Sequence, residues 1–323
     1  MDDRQDGKMT KKLKIADFHP ENLNVDKTDA SGRRTAYIFE EDMCNALWAA
    51  YANDRPLLLR GEPGTGKSAL AGAIAAHLGW PMVKKVIQGN TELDDLHFRF
   101  DAVQRLADAQ LCCCSNPGEA PPDLAVEKYI TPGPVWWAFN WTEAEKALKK
   151  AKSTAGCPAA PNSWQPGNGC VLLIDEIDKA DPDLPNGLLE TFGNHCFEVA
   201  LLGREIQVSQ PVLTIITTNE ERDLPLPFLR RCLELELKLE KSDEKRVSWL
   251  AERGKLHFPD LAPAIYDQAA KLVWKERNLA EEQNRYRPGL AEYLDLLGAL
   301  SIAPPSEQPD ILDKISQFVL KKS

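Results

Sequence analysis

The chain has 323 residues, of which 43% are hydrophobic and 27% charged, enough for a sizeable core in about two domains. Its formal net charge of −10 argues against a protein that coats nucleic acid or an anionic membrane electrostatically. Apolar runs last only a few residues and the polar opening MDDRQDGKMTKKLK lacks the hydrophobic segment of a signal peptide, so neither a membrane span nor secretion is expected, and the chain is placed in the cytoplasm.

Met1 to Arg34 is polar and aperiodic and reads as a tail or arm. Phe39 to Ala52 reads as a helix, with Met43, Leu47 and Ala50 on one face. It leads into a short apolar strand, Pro56 to Arg60. Gly61-Glu62-Pro63-Gly64-Thr65-Gly66-Lys67-Ser68 follows, and a helix from Lys67 to Leu78 carries Leu70, Ile74 and Leu78 at four-residue spacing before Gly79 stops it. A second strand is expected at Met82 to Ile87. From about 89 to 169 the pattern is irregular: helical pieces at Leu93 to Gln110 and Trp141 to Lys152 are separated by Pro, Gly and Cys-rich stretches, with Cys112 to Pro122 and Cys157 to Gly169 read as mobile loops.

Order returns at Cys170-Val171-Leu172-Leu173-Ile174-Asp175-Glu176, an apolar run of the kind that a sheet covered on both faces requires. A helix at Leu184 to Phe192 precedes a hairpin over about 197–208, turning at Leu202-Gly203-Arg204. Val212 to Thr218 is the next buried strand, closed by Asn219. Leu233, Leu235, Leu237 and Leu239 alternate with charged residues, the period of a half-exposed edge strand. Helices are expected at Ser242 to Arg253, Leu261 to Arg277, Pro288 to Leu300 with Pro288 at its first position, and Asp310 to Leu320. The domains are thus 1–34 as an arm, 35–240 as an α/β nucleotide-binding domain and 241–323 as a small all-α lid.

The loop at 61–68 fits G-x-x-x-x-G-K-[ST]. Strand, glycine loop and helix N-terminus together present backbone N–H groups and a favourable helix dipole to phosphate. Lys67 can reach the β- and γ-phosphates, and the Ser68 hydroxyl can ligate Mg²⁺. Asp175, ending its strand, can hold Mg²⁺ through water, and Glu176 beside it can take a proton from an attacking water. Asn219 can orient that water if its strand neighbours the first. Arg230 and Arg231 could be solvated charge or a finger for a neighbouring subunit's γ-phosphate; Arg287 could bring the lid onto the nucleotide. The eight cysteines form no C-x-x-C pair, and Cys170 and Cys232 abut core strands, so they read as structural thiols. The Cys112-Cys113-Cys114 run has no assigned role.

GEPGTGKS, VLLIDEIDKADPDLPNGLLE, TIITTNEERDLPLPFLRRC and RYRPGLAEYLDLL, in that order, resemble a MoxR-type AAA+ ATPase of the dynein-related branch over about Tyr37 to Leu300. The resemblance implies a parallel P-loop sheet of order 5-1-4-3-2 with helices on both faces, a helical lid, and a hexameric ring with ATP or ADP and Mg²⁺ at subunit interfaces. It implies nucleotide contacts from Gly61, Pro63, Gly64, Thr65, Gly66, Lys67, Ser68 and Ala69. It makes Asp175 and Glu176 the Walker B pair, Asn219 sensor 1, Arg231 the arginine finger with Arg230 the alternate, and Arg287 the sensor 2 arginine with Arg285 as a second choice. The hairpin and the segment around Leu93 to Gln110 with Tyr129-Ile130-Thr131-Pro132-Gly133-Pro134 match the inserts of that branch. A protein client, a partner with a von Willebrand factor A domain and a preference for adenine over guanine nucleotides are implied by the resemblance alone. The readings carried forward are a chaperone or remodelling ATPase, a nucleic-acid-linked or restriction-type NTPase motor, and a nucleotide-switched scaffold with little turnover.

Overall fold

The computed structural model describes residues 13–18, 27–28, 34–113, 123–238, 242–283 and 285–321. Its centre is a five-stranded parallel sheet with helices on both faces. The strands are β1 (Leu57–Arg60), β2 (Met82–Val86), β3 (Cys170–Asp175), β4 (Val212–Thr217) and β5 (Leu233–Glu236), in the order β5-β1-β4-β3-β2. That is the expected 5-1-4-3-2. β3 pairs in parallel with β4 through Cys170↔Val212 to Ile174↔Ile216, and with β2 through Val171↔Met82 to Asp175↔Val86. Every residue of β3 is buried, which is why its sequence is an unbroken apolar run and not an alternation. β5 is at the edge, where Leu233 and Leu237 donate N–H to Pro56 and Arg60 O at 2.9 Å each. Its alternating leucines and charges follow from having one covered face.

The labelled helices are α1 (Glu41–Asn53), α2 (Lys67–Leu78), α3 (Asp183–Asn194), α4 (Asp243–His257), α5 (Pro263–Glu282), α6 (Leu290–Ser301) and α7 (Gln308–Leu320). By its contacts the chain divides into two compact units. One holds Asn45–Leu58 and Leu78–Glu234; the other holds Leu59–His77, Leu235 onward and the segment that ends at Cys44.

In the first unit the irregular 89–169 region is built differently from the expected long helix. Leu93–His97 is one short helix, Phe98–Phe100 turns into a strand, and Ala102–Cys113 is a second helix. The interruption arises because Phe98, Arg99 and Phe100 pair antiparallel with Ile130–Pro132. Gly133 closes this ladder, donating N–H to His97 O at 2.9 Å. The stretch Cys157 to Gly169, expected to be mobile, is anchored: the buried Trp164 donates Nε1–H to Gly169 O at 2.8 Å and packs edge-on against Trp141, centroids 4.7 Å apart. The expected loop at Cys112 to Pro122 falls mostly outside the described residues, as do most of the 1–34 arm and Leu239. The hairpin pairs Cys196–Val199 with Arg204–Gln207.

In the second unit α4 to α7 bury Leu250, Ile265, Ala269, Val273, Leu296, Leu297 and Leu312 in one apolar cluster. Gly254 on α4 lets α6 approach, since a Cβ there would lie 2.5 Å from Tyr293 Oη and 2.6 Å from Leu297 Cδ1.

Candidate functional site

The glycine loop follows directly from β1. Gly61 has φ +133°, and a Cβ on it would sit 2.6 Å from Leu237 O; Gly64 and Gly66 have φ +81° and +91°. These are conformations that side-chain-bearing residues avoid, so the loop's curvature depends on its glycines. Thr65 Oγ1 donates to Glu62 O at 2.9 Å. Lys67 opens α2; its buried ammonium donates to Gly61 O at 2.5 Å and Glu62 O at 2.9 Å, which holds it over the loop. The Tyr37 hydroxyl donates to Gly66 O at 3.4 Å. Next to Thr65 and Gly66 is a cavity of 590 Å³ that Tyr37, Glu40, Arg253, Leu290 and Leu294 also line. Arg253 is buried, pairs with Glu40 at 3.3 Å and lies over the Trp249 ring at 3.7 Å.

Glu62 of the loop faces arginines of the C-terminal helical segment. Arg277, buried on α5, forms an ion pair with it and also donates to Pro288 O at 3.0 Å; burial lowers the guanidinium's hold on its proton. Arg287 lies 3.7 Å from Glu62 and 3.2 Å from Glu281, whereas Arg285 turns to Glu276 at 3.2 Å. Arg277 was not legible as a site residue, because in sequence it is one charge on an amphipathic helix. Pro288 is not the first residue of its helix. α6 begins at Leu290 behind an extended Gly289, whose N–H donates to Glu292 Oε2 at 2.9 Å. Gly289 lies against Gly64, a close approach that a helical turn starting at Pro288 would not leave in place.

In the other unit, the carboxylates at the end of β3 form a tight cluster. Asp175 is buried; its Oδ2 lies 2.6 Å from Lys84 Nζ, and its Oδ1 accepts from the Thr217 hydroxyl at 2.7 Å. Thr217 Oγ1 in turn accepts the Glu176 N–H at 2.9 Å. Glu176 has a left-handed backbone, φ +61°, and its Oε2 is 2.7 Å from Lys179 Nζ. That bond raises the pKa of Lys179, which stays an ammonium. The β3–β4 register sets Thr217 level with Asp175 and carries Asn219 to the level of the following turn. There the Asn219 N–H donates to the buried Asp178 at 3.2 Å, and so does the Glu221 N–H at 3.0 Å. The structure therefore brings Asp175, Glu176 and Asn219 to one end of two adjacent strands. Thr217, Asp178 and Lys179 complete the arrangement; the sequence pattern had not marked them as site residues.

Arg230 and Arg231 end the short helix Leu226–Arg231. Their carbonyls accept from the Arg55 guanidinium at 2.7 and 3.0 Å, so a third arginine fixes their backbone. Arg231 donates to Leu189 O on α3 at 3.0 Å.

Asp175 in one unit and Ser68 in the other each carry only oxygen donors, the type that a hard cation such as Mg²⁺ takes together with water and phosphate. No group of three or more His, Cys, Asp or Glu forms a metal cage among the described residues. Cys44, Cys170 and Cys232 are buried, and burial pushes the Cys44 thiol up to about 11 and the Cys232 thiol up to about 12, as for inert core thiols.

A family model described as the AAA domain, dynein-related subfamily, matches residues 56–232, more than half the chain and all the motifs from the loop to Arg231. The chain belongs to the dynein-related AAA family. Nucleotide binding, generally with Mg²⁺, is what membership implies for the loop and the carboxylates. No curated protein matches the chain. Among solved structures it is similar to a candidate ATPase from Cytophaga hutchinsonii, with 14% identity, a TM-score of 0.41, and coverage of 95% of this chain and 84% of that one. No helix among the described residues of this AAA protein is long and apolar enough to cross a membrane.

Proposed function

We propose that the protein is a MoxR-type ATPase that hydrolyses ATP in a cytoplasmic ring and uses the cycle to remodel a protein client. The observation that supports turnover most directly is the Asp175–Glu176 pair at the end of a fully buried strand, with Asn219 just beyond the end of the adjacent strand. A binding loop alone would serve a switch equally well; a carboxylate kept beside the metal-holding one is what hydrolysis needs.

In this reading Gly61, Pro63, Gly64, Thr65 and Gly66 cradle the phosphates, Lys67 neutralises them, and Ala69, exposed in the first turn of α2, adds a nucleotide contact. Ser68 and Asp175 would hold Mg²⁺, which would supply neutralisation of the charge that develops on the phosphates. Glu176 takes the proton of the attacking water and Asn219 orients it. Arg231, with Arg230 as alternate, serves a neighbouring protomer, and Arg287 links the lid, residues 241–323, to nucleotide state. The cavity beside Tyr37 and Leu290 takes the base. A client recruited through a von Willebrand factor A domain rests on the family resemblance.

The test is ATP turnover of the whole chain and of Glu176→Gln, each with and without DNA. Loss of turnover with nucleotide binding kept, and no response to DNA, is expected. Unchanged turnover in Glu176→Gln removes the base, and strong stimulation by DNA replaces the protein client with nucleic acid.

A further inference from the structure

Lys179 is three residues beyond Glu176, at the end of the single 3-10 turn Ile177–Lys179, for which Glu176 is the N-cap. Glu176 stands just outside the turn with a left-handed backbone, and its side chain reaches the Lys179 ammonium across it. The turn is closed twice. The Lys179 N–H donates to Glu176 O at 3.1 Å, and the Lys179 ammonium donates to Glu176 Oε2 at 2.7 Å. From the other direction the Glu176 N–H is held by Thr217. Backbone and side chain of Glu176 are thus fixed by different partners, and only Oε1 has no hydrogen bond among the described residues.

We infer that Lys179 is a positioning residue for hydrolysis: by gripping Oε2 it sets the rotamer of Glu176 and leaves Oε1 as the oxygen that receives the water's proton. This rests on Glu176 being the base. The pair is partly exposed, at 40% and 30%, and the electrostatic worth of a pair of that kind is no more than about fivefold in an equilibrium. Losing the orientation of a reacting group costs on the order of a hundredfold. Orientation wins, so the pair helps the reaction. The nearby carboxylates of Glu221 and Asp178 also favour the charged ammonium.

The test compares wild type with Lys179→Met, Lys179→Arg and Glu176→Gln, measuring steady-state kcat and KM, the affinity for a fluorescent ATP analogue, and thermal midpoint. Lys179→Met should lose at least tenfold in kcat, with analogue affinity within about twofold and an unchanged midpoint. Lys179→Arg, which can still reach Oε2, should recover most of the kcat. Wild-type kcat in Lys179→Met while Glu176→Gln is dead overturns the positioning role and leaves the base intact. A raised kcat in Lys179→Met also overturns it, because the pair would then be a restraint. An active Glu176→Gln instead removes the base reading itself. If Lys179→Met does not fold, the Lys179→Arg and Lys179→Gln pair carries the same comparison, and equal kcat in the two overturns the inference.

Discussion

At the residue scale, a buried histidine in the insert makes the fold sensitive to acid. His97 is 6% exposed, stacks on Phe197 with centroids 4.3 Å apart, and shares a 2.9 Å hydrogen bond with Thr191 Oγ1. Since the Thr191 hydroxyl points at Gly187 O, 3.4 Å away, the histidine Nε2–H is the donor and the ring is neutral. Burial pushes its pKa down to about 4 from an ordinary 6.5. A depressed histidine pKa means that the unfolded chain binds the extra proton first. The contribution of His97 is therefore complete above about pH 6.5 and is lost as pH falls towards 4, amounting to about 3 kcal/mol if nothing relaxes. Urea unfolding of wild type and His97→Gln at pH 7.5 and 5 should show a smaller acid loss in the variant. An equal loss would mean that other groups dominate. No pattern in the sequence marks His97 as buried, because its burial comes from the α3 and hairpin residues that fold over it.

At the scale of elements, what was legible depended on whether periodicity or pairing built the piece. β3, β4 and the loop helix were readable because a buried strand and an amphipathic helix each write one pattern along consecutive residues. The insert was not. Phe98-Arg99-Phe100 has helical neighbours, yet its partner Ile130–Pro132 is thirty residues on, and only that pairing makes it a strand. Gly133 is the hinge of this motif. A Cβ there would meet Leu96 O at 2.5 Å and Leu96 C at 2.7 Å, and backbone atoms cannot swing aside as a side chain would. Gly133→Ala is expected to cost on the order of 2 kcal/mol, which thermal unfolding would register as a midpoint several degrees lower. Gly187→Ala is the control, because its close atom is the flexible Leu93 Cδ2, and its midpoint should move less. A similar drop in both would show that the packing around Leu93–His97, and not the backbone approach at Gly133, sets the cost. In the candidate site the same rule held: the loop and the Asp175–Glu176 pair are contiguous and visible, whereas Arg277, Thr217 and Asp178 acquire meaning only through tertiary contact.

At the scale of the whole molecule, the assignment that matters most is whether Arg231 serves its own nucleotide or a neighbour's. Within the chain its guanidinium reaches Leu189 O, and Arg55 pins the carbonyls of Arg230 and Arg231, so the pair is presented on a braced helix end. Bracing suits a group that must meet its target without moving far, because an arginine placed on a transferring phosphoryl group is worth roughly a thousandfold or more in rate. Arg231→Ala should abolish turnover while leaving nucleotide affinity within a few-fold, and Glu176→Gln should do the same for a different reason. Neither variant alone says where the arginine acts, but their mixture does. If Arg231 works in trans, a protomer carrying Glu176→Gln still offers an intact Arg231 to a neighbour carrying Arg231→Ala, whose own Glu176 is intact, and that interface is complete. Mixing the two inactive proteins under ATP should therefore restore measurable turnover, in step with ring formation followed by light scattering. Assembly without recovery would place Arg231 in its own protomer's site, and a chain that stays monomeric at micromolar concentration in saturating ATP would remove the ring that gives the finger its purpose.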